Sequence, residues 1–576
     1  MNEAAAALVR RRARNLLVFV PLTALTVGAA TTQFVAWKLN YHPALGSPVL
    51  GHAYWPWRII EWWQAPWEPQ VDNTFALVKF GLILTVCFGA MLALKSGRRQ
   101  PRPHPTIHGT AGFADEDDIK RSGLLPTGKP GIIVGGWTDR RGGLRYLTDA
   151  GQAHAMCLGP TRSGKSAGVL VPTLLSWPHS AIVYDPKGEL WQMTAGWRHS
   201  EAGNVVMRFA PAEIANTVAW NPFSRVRIGT PYAFRDVANI IQQIADPHGK
   251  GFRDHWEPTA ANLLVGVALY LVETARCSLS AMLSKIDASA DSETLLRAMA
   301  GHKTRQVAEV GRGMLSTAAR ERASVISTAR RLLALYRDPV VARNTGRSHF
   351  RIEDLVSSQS PVTLYIETRG EDELRMRPLD WLFLTLALGQ LISGDGPNAQ
   401  QLLLGIDEFP SLGKMEMLEL FLAKTAGSGI RALLLAQDYQ DIVGVYGEHE
   451  RITTNCGVLS AYAPLNDKSA AWLSAKTGQS TEVVEEVSES QQGGGQTSQN
   501  RTFRSVPRPL LTADEVRRLK GPARDAAGLI TKPGELLIFP AHQHVIRGTQ
   551  SLAFLDPAFQ RRMTFPAPAT MWTRQS

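Results

Sequence analysis

The residues with the clearest chemistry form a glycine-rich loop, GPTRSGKS, at positions 159–166. Gly159, Gly164, Lys165 and Ser166 satisfy the pattern G-x-x-x-x-G-K-[ST], which is typical of loops that bind nucleotide phosphates. The glycines permit backbone angles that a Cβ forbids, so several N–H groups can point at one anion. Lys165 is predicted to place its charge beside the outer phosphates, and Ser166 to offer its hydroxyl to Mg²⁺. We therefore predict a site for ATP and Mg²⁺ formed by Gly159, Pro160, Thr161, Arg162, Ser163, Gly164, Lys165 and Ser166.

Two carboxylates stand at the end of an apolar run, where a nucleotide site needs them. In QLLLGIDEF, Asp407 and Glu408 follow residues that predict a buried strand. In such sites the first carboxylate holds Mg²⁺, commonly through water, and the second polarises the attacking water. An acidic pair at a strand end can instead cap a helix, but the loop makes catalysis the favoured interpretation. Ser166 and Asp407 are thus the predicted metal ligands, and Lys165 and Glu408 are predicted catalytic groups.

Polar residues also end two other apolar runs. Gln437 ends the run at 430–437, where its amide is suited to sensing the γ-phosphate or linking hydrolysis to movement. The alternative is that Gln437 only terminates a strand by hydrogen bonding. Asp185 and Lys187 follow a third run, so we expect them near the same crevice, without a definite role.

Short apolar runs alternate with helical patterns and predict the elements that position these residues. Runs of this kind favour strands buried on both faces of a mainly parallel α/β sheet. The segment AGVLVPTLL supplies the helix after the loop, limited or kinked by Pro172. The predicted strands are 153–158, 179–185, 205–209, 362–367, 401–407, 430–437, 458–463 and 534–541.

Two segments depart from this alternation. Residues 231–350 show helical spacing and almost no strand pattern, which predicts an all-α insertion. Residues 477–509 are polar and rich in Gly and Gln, which predicts a long mobile loop. Arginines of the helical segment are candidates for phosphate contact, although a solvated helix face is the commoner explanation; they are Arg320, Arg322, Arg330, Arg331 and Arg337.

The first hundred residues have the pattern of a membrane anchor. Residues 15–37 carry no charge, and residues 75–94 carry only Lys79, so each run is long enough to span a bilayer. Basic clusters precede the first run and follow the second, which places both flanks in the cytoplasm and residues 38–74 outside. A cleaved signal peptide is the alternative for the first run.

Length, net charge and cysteine content limit the number of domains, the kinds of partner and the cysteine chemistry. The chain has 576 residues, too many for one ordinary domain, and a net charge of +11, which favours acidic partners such as nucleic acid or anionic lipid. Basic flanks of membrane segments account for part of this surplus. The four cysteines, Cys87, Cys157, Cys277 and Cys456, form no C-x-x-C pair, so neither a zinc site nor a disulfide framework is indicated.

In chain order, the motifs resemble those of the TraG-like coupling proteins of conjugation and type IV secretion. The resemblance rests on HGTAGFA, GPTRSGKSAGVLVPTLL, IVYDPKGEL, LLGIDEFPSLGKME, IRALLLAQDYQDIVGVYG, TTNCGVLSAYAPLND and RPLLTADEVRRL. It covers most of residues 108–550, and the paired N-terminal runs match as well.

The resemblance implies a membrane-anchored, RecA-like P-loop ATPase that assembles as a homohexameric ring with nucleotide at the subunit borders. Such a protein recruits relaxase–DNA complexes or effector proteins and passes them to a secretion channel in the bacterial inner membrane. The expected fold is α/β, with an anchor at 1–107, a nucleotide-binding domain at 108–230 and 351–576, and an all-α domain at 231–350. The resemblance also implies a multi-pass protein with most of its chain in the cytoplasm.

One expected feature has no obvious match. Some relatives supply an arginine finger between the acidic pair and the glutamine, where this chain has Ala426. The nearby cations are Lys424, Arg431 and Arg451, and we select Arg431 as the candidate that crosses a subunit border.

Two functions of different classes remain. The favoured one is a motor that couples ATP hydrolysis to substrate transfer, and the alternative is a cargo receptor whose nucleotide site is mainly structural. An ABC-type transporter is disfavoured because its signature is absent between the loop and the acidic pair. A small-molecule kinase needs neither the two apolar spans nor so large an insertion.

Overall fold

A computed structural model describes residues 25–64, part of 75–85, and 106–569 with gaps at 248–250, 253, 288–291, 395–398 and 493–495. The chain divides into two compact units. One comprises Met1–His104 with Val487–Phe503, and the other Pro105–Glu486 with Arg504–Ser576.

The larger unit is built on an eleven-stranded sheet with the order β2-β1-β15-β14-β9-β3-β8-β7-β4-β6-β5. Two separate two-stranded sheets, the long pair β10 with β11 and the short pair β12 with β13, lie outside it. The strands are β1 Ile132–Thr138, β2 Leu144–Asp149, β3 His154–Leu158, β4 Ser180–Tyr184, β5 Val205–Phe209, β6 Val362–Ile366, β7 Leu402–Ile406, β8 Ile430–Ala436, β9 Cys456–Ala461, β10 Gln479–Gln492, β11 Gln496–Pro509, β12 Ala523–Arg524, β13 Ile530–Lys532, β14 Glu535–Pro540 and β15 Ile546–Thr549.

The strands from β9 to β5 in this order are all parallel, whereas β14, β15, β1 and β2 pair in antiparallel fashion. Every apolar run predicted to be a strand is one, and the prediction of a mainly parallel α/β sheet is confirmed. Five of the parallel strands, β3, β4, β6, β7 and β8, are buried along their whole length, which explains their continuous apolar sequence. The antiparallel strands β1, β2 and β15 were not predicted.

Helices of the larger unit connect the strands and cover the sheet. They are Glu116–Arg121, Val171–Leu174, Glu189–Ser200, Ala233–Ala245, Trp256–Thr274, Leu279–Asp287, Ser292–Ala300, Arg305–Ser316, Ala319–Leu332, Pro339–Thr345, Asp354–Ser357, Glu373–Ile392, Glu416–Thr425, Tyr439–Tyr446, Asp467–Lys476, Ala513–Arg517 and Pro557–Met563. The helix Arg58–Trp62 belongs to the smaller unit.

The segment from Ala233 to Thr345 is helical in all its described regular structure, as predicted. Its helices belong to the same compact unit as the sheet, and the boundaries 231 and 350 stay a prediction. Four of its candidate arginines bind groups of the same chain, and phosphate contact by any of them stays a prediction. Arg322 donates to helix-end carbonyls, Arg331 pairs with Glu257, and Arg330 and Arg337 both pair with Asp287.

The prediction of a mobile loop at 477–509 is wrong. This segment contains β10 and β11, which pair with each other as a two-stranded ribbon. The sequence TEVVEEV is rich in β-branched residues, and the GGG run between the strands is a hairpin signal. The β-branched pattern outweighs the polar composition of the segment.

In the smaller unit, residues 25–38 are helical and pack with the aromatic segment that follows them. Thr32 donates to the carbonyl of Pro56, and the Trp62 indole donates to the carbonyl of Leu45. Within the described part of the chain, no single helix has the length and apolar character needed to cross a bilayer. The helices Trp256–Thr274 and Leu279–Asp287 meet that requirement only as a pair, bent by 107°. The predicted spans 15–37 and 75–94 lie partly outside the described residues, so the anchor stays a prediction.

Candidate nucleotide site

The glycine-rich loop connects the central strand β3 to a helical segment. Its backbone takes unusual angles at Arg162, with φ of 63°, and at Gly164, with φ of 87°. The first helical turn, Ser166–Leu170, is a π-helix, and the α-helix Val171–Leu174 follows. Pro172 lies just after the wide turn, and its missing N–H explains why the regular helical ladder is interrupted there.

The loop is shaped for an anion. A Cβ on Gly159 would lie 2.8 Å from Oγ of Ser163 and 2.9 Å from Cδ2 of Tyr462, so only glycine fits there. Oγ of Ser163 is buried and has no hydrogen-bond partner among the described residues. A loop that has no room for a side chain at Gly159 and that contains the unpartnered Ser163 hydroxyl fits a phosphate group.

Ser166 and Asp407, the predicted metal ligands, lie next to each other. Asp407 follows β7, and a single strand, β8, separates β7 from β3 in the sheet. Oγ of Ser166 donates a hydrogen bond of 2.8 Å to Oδ1 of Asp407. The hydroxyl and the carboxylate thus present at one point the oxygen ligands that Mg²⁺ prefers.

Glu408 faces the same loop. Its backbone is left-handed, with φ of 65°, a conformation that costs a non-glycine residue about 1–3 kcal/mol. Oε2 of Glu408 lies 3.3 Å from Nζ of Lys165, and both side chains are largely buried. Burial raises the pKa of Glu408, and the Lys165 ammonium and the Gln437 amide partly oppose this shift. The strained backbone thus sets a carboxylate whose pKa is raised beside Lys165 of the loop.

Gln437 joins the loop to the carboxylate. It follows β8, and its Oε1 accepts a hydrogen bond of 2.7 Å from Oγ1 of Thr161. Its amide also helps to lower the pKa of Glu408 against the effect of burial. Gln437 is therefore more than a strand terminus, because it hydrogen-bonds the loop and acts on the acidic pair.

Arg431 does not fit the role of an arginine finger. Its side chain is 4% exposed, and Nη2 lies 2.5 Å from Oδ2 of Asp149. Its other nitrogens donate to the carbonyls of Asp149 and Ala153. Lys424 and Arg451, the other two candidates, are exposed.

The carboxylate of Asp185 makes a structural hydrogen bond. It is buried, and its Oδ2 accepts a hydrogen bond of 2.8 Å from the N–H of Trp191, in the first turn of the helix Glu189–Ser200. Burial raises the pKa of Asp185 to about 7. Lys187 is exposed.

The sequence did not point to four residues that contact the loop. Tyr462 lies against Gly159, and Arg524, Gln550 and Ser551 donate to loop or helix carbonyls. These residues come from distant parts of the chain. The sequence offers a signal for Ser551 alone: Pro172 has no N–H, so the carbonyl of Gly168 needs another donor.

A phosphate-shaped loop after the central strand of a parallel sheet, with an acidic pair two strands away, defines an α/β protein of the P-loop class. The family model for type IV secretory system conjugative DNA transfer matches residues 112–574. A conjugal transfer protein TraG of Escherichia coli is 40% identical over 94% of this chain and 91% of its own. Protein VirD4 of Agrobacterium fabrum is 26% identical over 72% of this chain and 62% of its own. The chain therefore belongs to the TraG-like coupling proteins, which act in conjugative DNA transfer through type IV secretion.

Solved structures show the same fold. The bacterial conjugative coupling protein TrwB, lacking 70 N-terminal residues, matches with a TM-score of 0.58 at 17% identity, over 78% of this chain and 95% of the other. A structure of TrwB in complex with ADP and Mg²⁺ matches with a TM-score of 0.56 over 79% of this chain and 97% of the other.

Proposed function

We propose that this chain is a Mg²⁺-dependent ATPase whose hydrolysis cycle drives or licenses the passage of relaxase–DNA complexes into the secretion channel. The observation that carries the proposal is the convergence of Ser166 with Asp407 and of Lys165 with Glu408. The binding of ADP and Mg²⁺ by TrwB supports it.

The chain's own groups suit this chemistry. The loop N–H groups and Lys165 would hold the phosphates, and Ser166 and Asp407 would hold Mg²⁺. ATP supplies the phosphoanhydride bond that is cleaved. Glu408 orients a water and accepts its proton, which suits a carboxylate whose pKa is raised. Gln437 accepts a hydrogen bond from Thr161 and influences the pKa of Glu408, so it would couple a change at the acidic pair to the loop.

The wider assembly is also a proposal. Residues 1–107 would anchor the chain in the inner membrane by two spans and leave most of it in the cytoplasm. Six copies would form a ring, with Lys424 or Arg451 better placed than Arg431 to approach a neighbour's nucleotide because both are exposed.

The net charge of +11 supports DNA as cargo, with effector proteins as the alternative.

ATP turnover separates the motor from the receptor. We would measure phosphate release by the full chain purified in detergent, with and without single-stranded DNA, beside the Glu408→Gln variant. The motor predicts turnover that depends on Mg²⁺ and on Glu408. Absence of turnover at every protein concentration, with nucleotide still bound, would favour the receptor.

A further inference from the structure

Three side chains from the C-terminal segment hold the phosphate loop from outside. We call Arg524, Gln550 and Ser551 the C-terminal clamp. Arg524 donates to the carbonyl of Arg162, Gln550 to that of Ser163, and Ser551 to that of Gly168. Each contact ends on a backbone oxygen of the loop or of its first helical turn.

Gln550 is fixed before it reaches the loop. It is 2% exposed, and its Oε1 accepts a hydrogen bond of 3.1 Å from the N–H of Gly534. Its own N–H donates to the carbonyl of Gly534 at 2.9 Å. These bonds fix the amide orientation, so that Nε2 faces the Ser163 carbonyl at 3.4 Å.

Ser551 compensates for Pro172. The carbonyl of Gly168 lies four residues before Pro172, which has no N–H to donate to it. The fully buried hydroxyl of Ser551 donates to that oxygen instead. Leu552 then packs on the loop, because its Cδ2 lies 2.8 Å from the position that a Cβ of Gly164 would take.

Arg524 is the exposed member of the clamp. It lies on the small hairpin of β12 and β13, which is largely exposed. Its Nη1 donates to the carbonyl of Gly528 within the hairpin, and its Nη2 donates to the carbonyl of Arg162, each at 2.8 Å. Arg162 is the loop residue with a left-handed backbone, so the bond supports a strained peptide.

The geometry of the peptide bond relates these carbonyl hydrogen bonds to the orientation of the loop N–H groups. In a trans peptide the carbonyl of one residue and the N–H of the next point in opposite directions. Holding the carbonyl of Arg162 toward the clamp therefore directs the N–H of Ser163 away from it, toward the carbonyl of Pro160, to which it donates at 3.1 Å. Holding the carbonyl of Ser163 in the same way directs the N–H of Gly164 into the loop, where a phosphate would use it.

We propose that Arg524, Gln550 and Ser551 are positioning residues that preorganise the phosphate loop for nucleotide binding. This inference rests on the proposed nucleotide site. The clamp residues touch the loop from its outer side and do not contact the acidic pair in any described hydrogen bond. Their loss should weaken nucleotide binding and leave the chemical step nearly unchanged.

Arg524→Ala is the best test because the side chain is exposed and its removal should not unfold the protein. Arg518→Ala is the matched control, since Arg518 is an exposed arginine that pairs with Asp514, four residues before it. We would measure binding of a fluorescent ATP analogue to the full chain, the KM and kcat for ATP, and the melting temperature. Arg524→Ala should raise Kd and KM about 3- to 10-fold, the effect of one hydrogen bond, while kcat and melting temperature stay near wild type. Arg524→Lys should recover part of the affinity.

The buried members provide a second test. Ser551→Ala should raise Kd by a similar factor, and Ser551→Thr, which keeps the hydroxyl, should recover it. Variants that bind the analogue as tightly as wild type would overturn the clamp, and so would variants that lose kcat at constant KM. A wild-type chain that binds no analogue would instead overturn the proposed nucleotide site itself, and the clamp with it.

Discussion

The hydroxyl of Ser166 donates a hydrogen bond of 2.8 Å to Oδ1 of Asp407, 241 residues further along the chain. This contact joins the end of the phosphate loop to the end of β7 across one intervening strand. It matters because a metal-dependent site needs both oxygens at one point before nucleotide arrives. Together with the Lys165–Glu408 pair it divides the site into a half that we propose binds the metal and a half that we propose activates water.

Glu408→Gln should abolish most turnover and spare nucleotide binding. Glutamine keeps the shape of the side chain and cannot accept a proton from water, so kcat should fall about 10²- to 10⁴-fold. Steady-state kinetics with a parallel binding measurement checks this. A variant with wild-type kcat would show that Glu408 is not the base.

The pH dependence of turnover should also report Glu408. Because burial raises its pKa, the carboxylate is lost at a higher pH than in an ordinary glutamate. Turnover should therefore fall as the pH is lowered, beginning above the usual range of a glutamate. The residual activity of Glu408→Gln should lack this acidic limb.

Arg431→Ala should destabilise the fold. The substitution leaves the buried Asp149 carboxylate without its cation, at a cost of about 3–5 kcal/mol. The melting temperature should drop clearly, while Arg451→Ala, at an exposed position, should melt like wild type. If Arg431→Ala melts normally and loses only turnover, Arg431 acts as a finger after all.

Asp380→Asn should flatten the pH dependence of stability. Asp380 is fully buried, its Oδ2 accepts a hydrogen bond from Thr368, and burial raises its pKa to about 7 from an ordinary 3.8. The folded state thus holds a proton that the unfolded state releases, so this contribution is complete below about 3.8 and is lost as the pH rises through about 7. Denaturation at pH 5 and pH 8 should show the asparagine variant gaining stability mainly at pH 8. An unchanged pH profile would contradict this account.

Removal of residues 1–107 should leave a soluble protein that assembles poorly, because we expect the two spans to help hold the ring together. Light scattering against the full chain in detergent measures this. Robust hexamers of the shortened chain would contradict the expectation.

The sequence predicted the parts of the fold that leave a local pattern. The buried parallel strands appear as continuous apolar runs. The phosphate loop, which contains Lys165, and the pair Asp407 and Glu408 each follow such a run, so their meeting at one sheet edge was predictable. The antiparallel strands β1, β2 and β15, which form one end of the sheet, were missed. In β1 the glycines Gly135 and Gly136 interrupt the pattern, and β2 is partly exposed.

Contacts between segments that are distant in the sequence could not be predicted. Arg431 was selected for its position between two motifs, but its partner Asp149 lies 282 residues away and leaves no local sign of the pair. The clamp residues contact the loop from more than 360 residues further along the chain. A one-dimensional pattern indicates which residues end a strand, and only packing decides which side chains then meet.

The most direct test of the central claim is DNA transfer by a Lys165→Ala variant in donor cells that carry the rest of the transfer system. Protein level and membrane fractionation should match wild type, because Lys165 belongs to the loop and not to the predicted anchor. We predict transfer at the background of donors that lack the protein. Transfer at the wild-type frequency would contradict the motor.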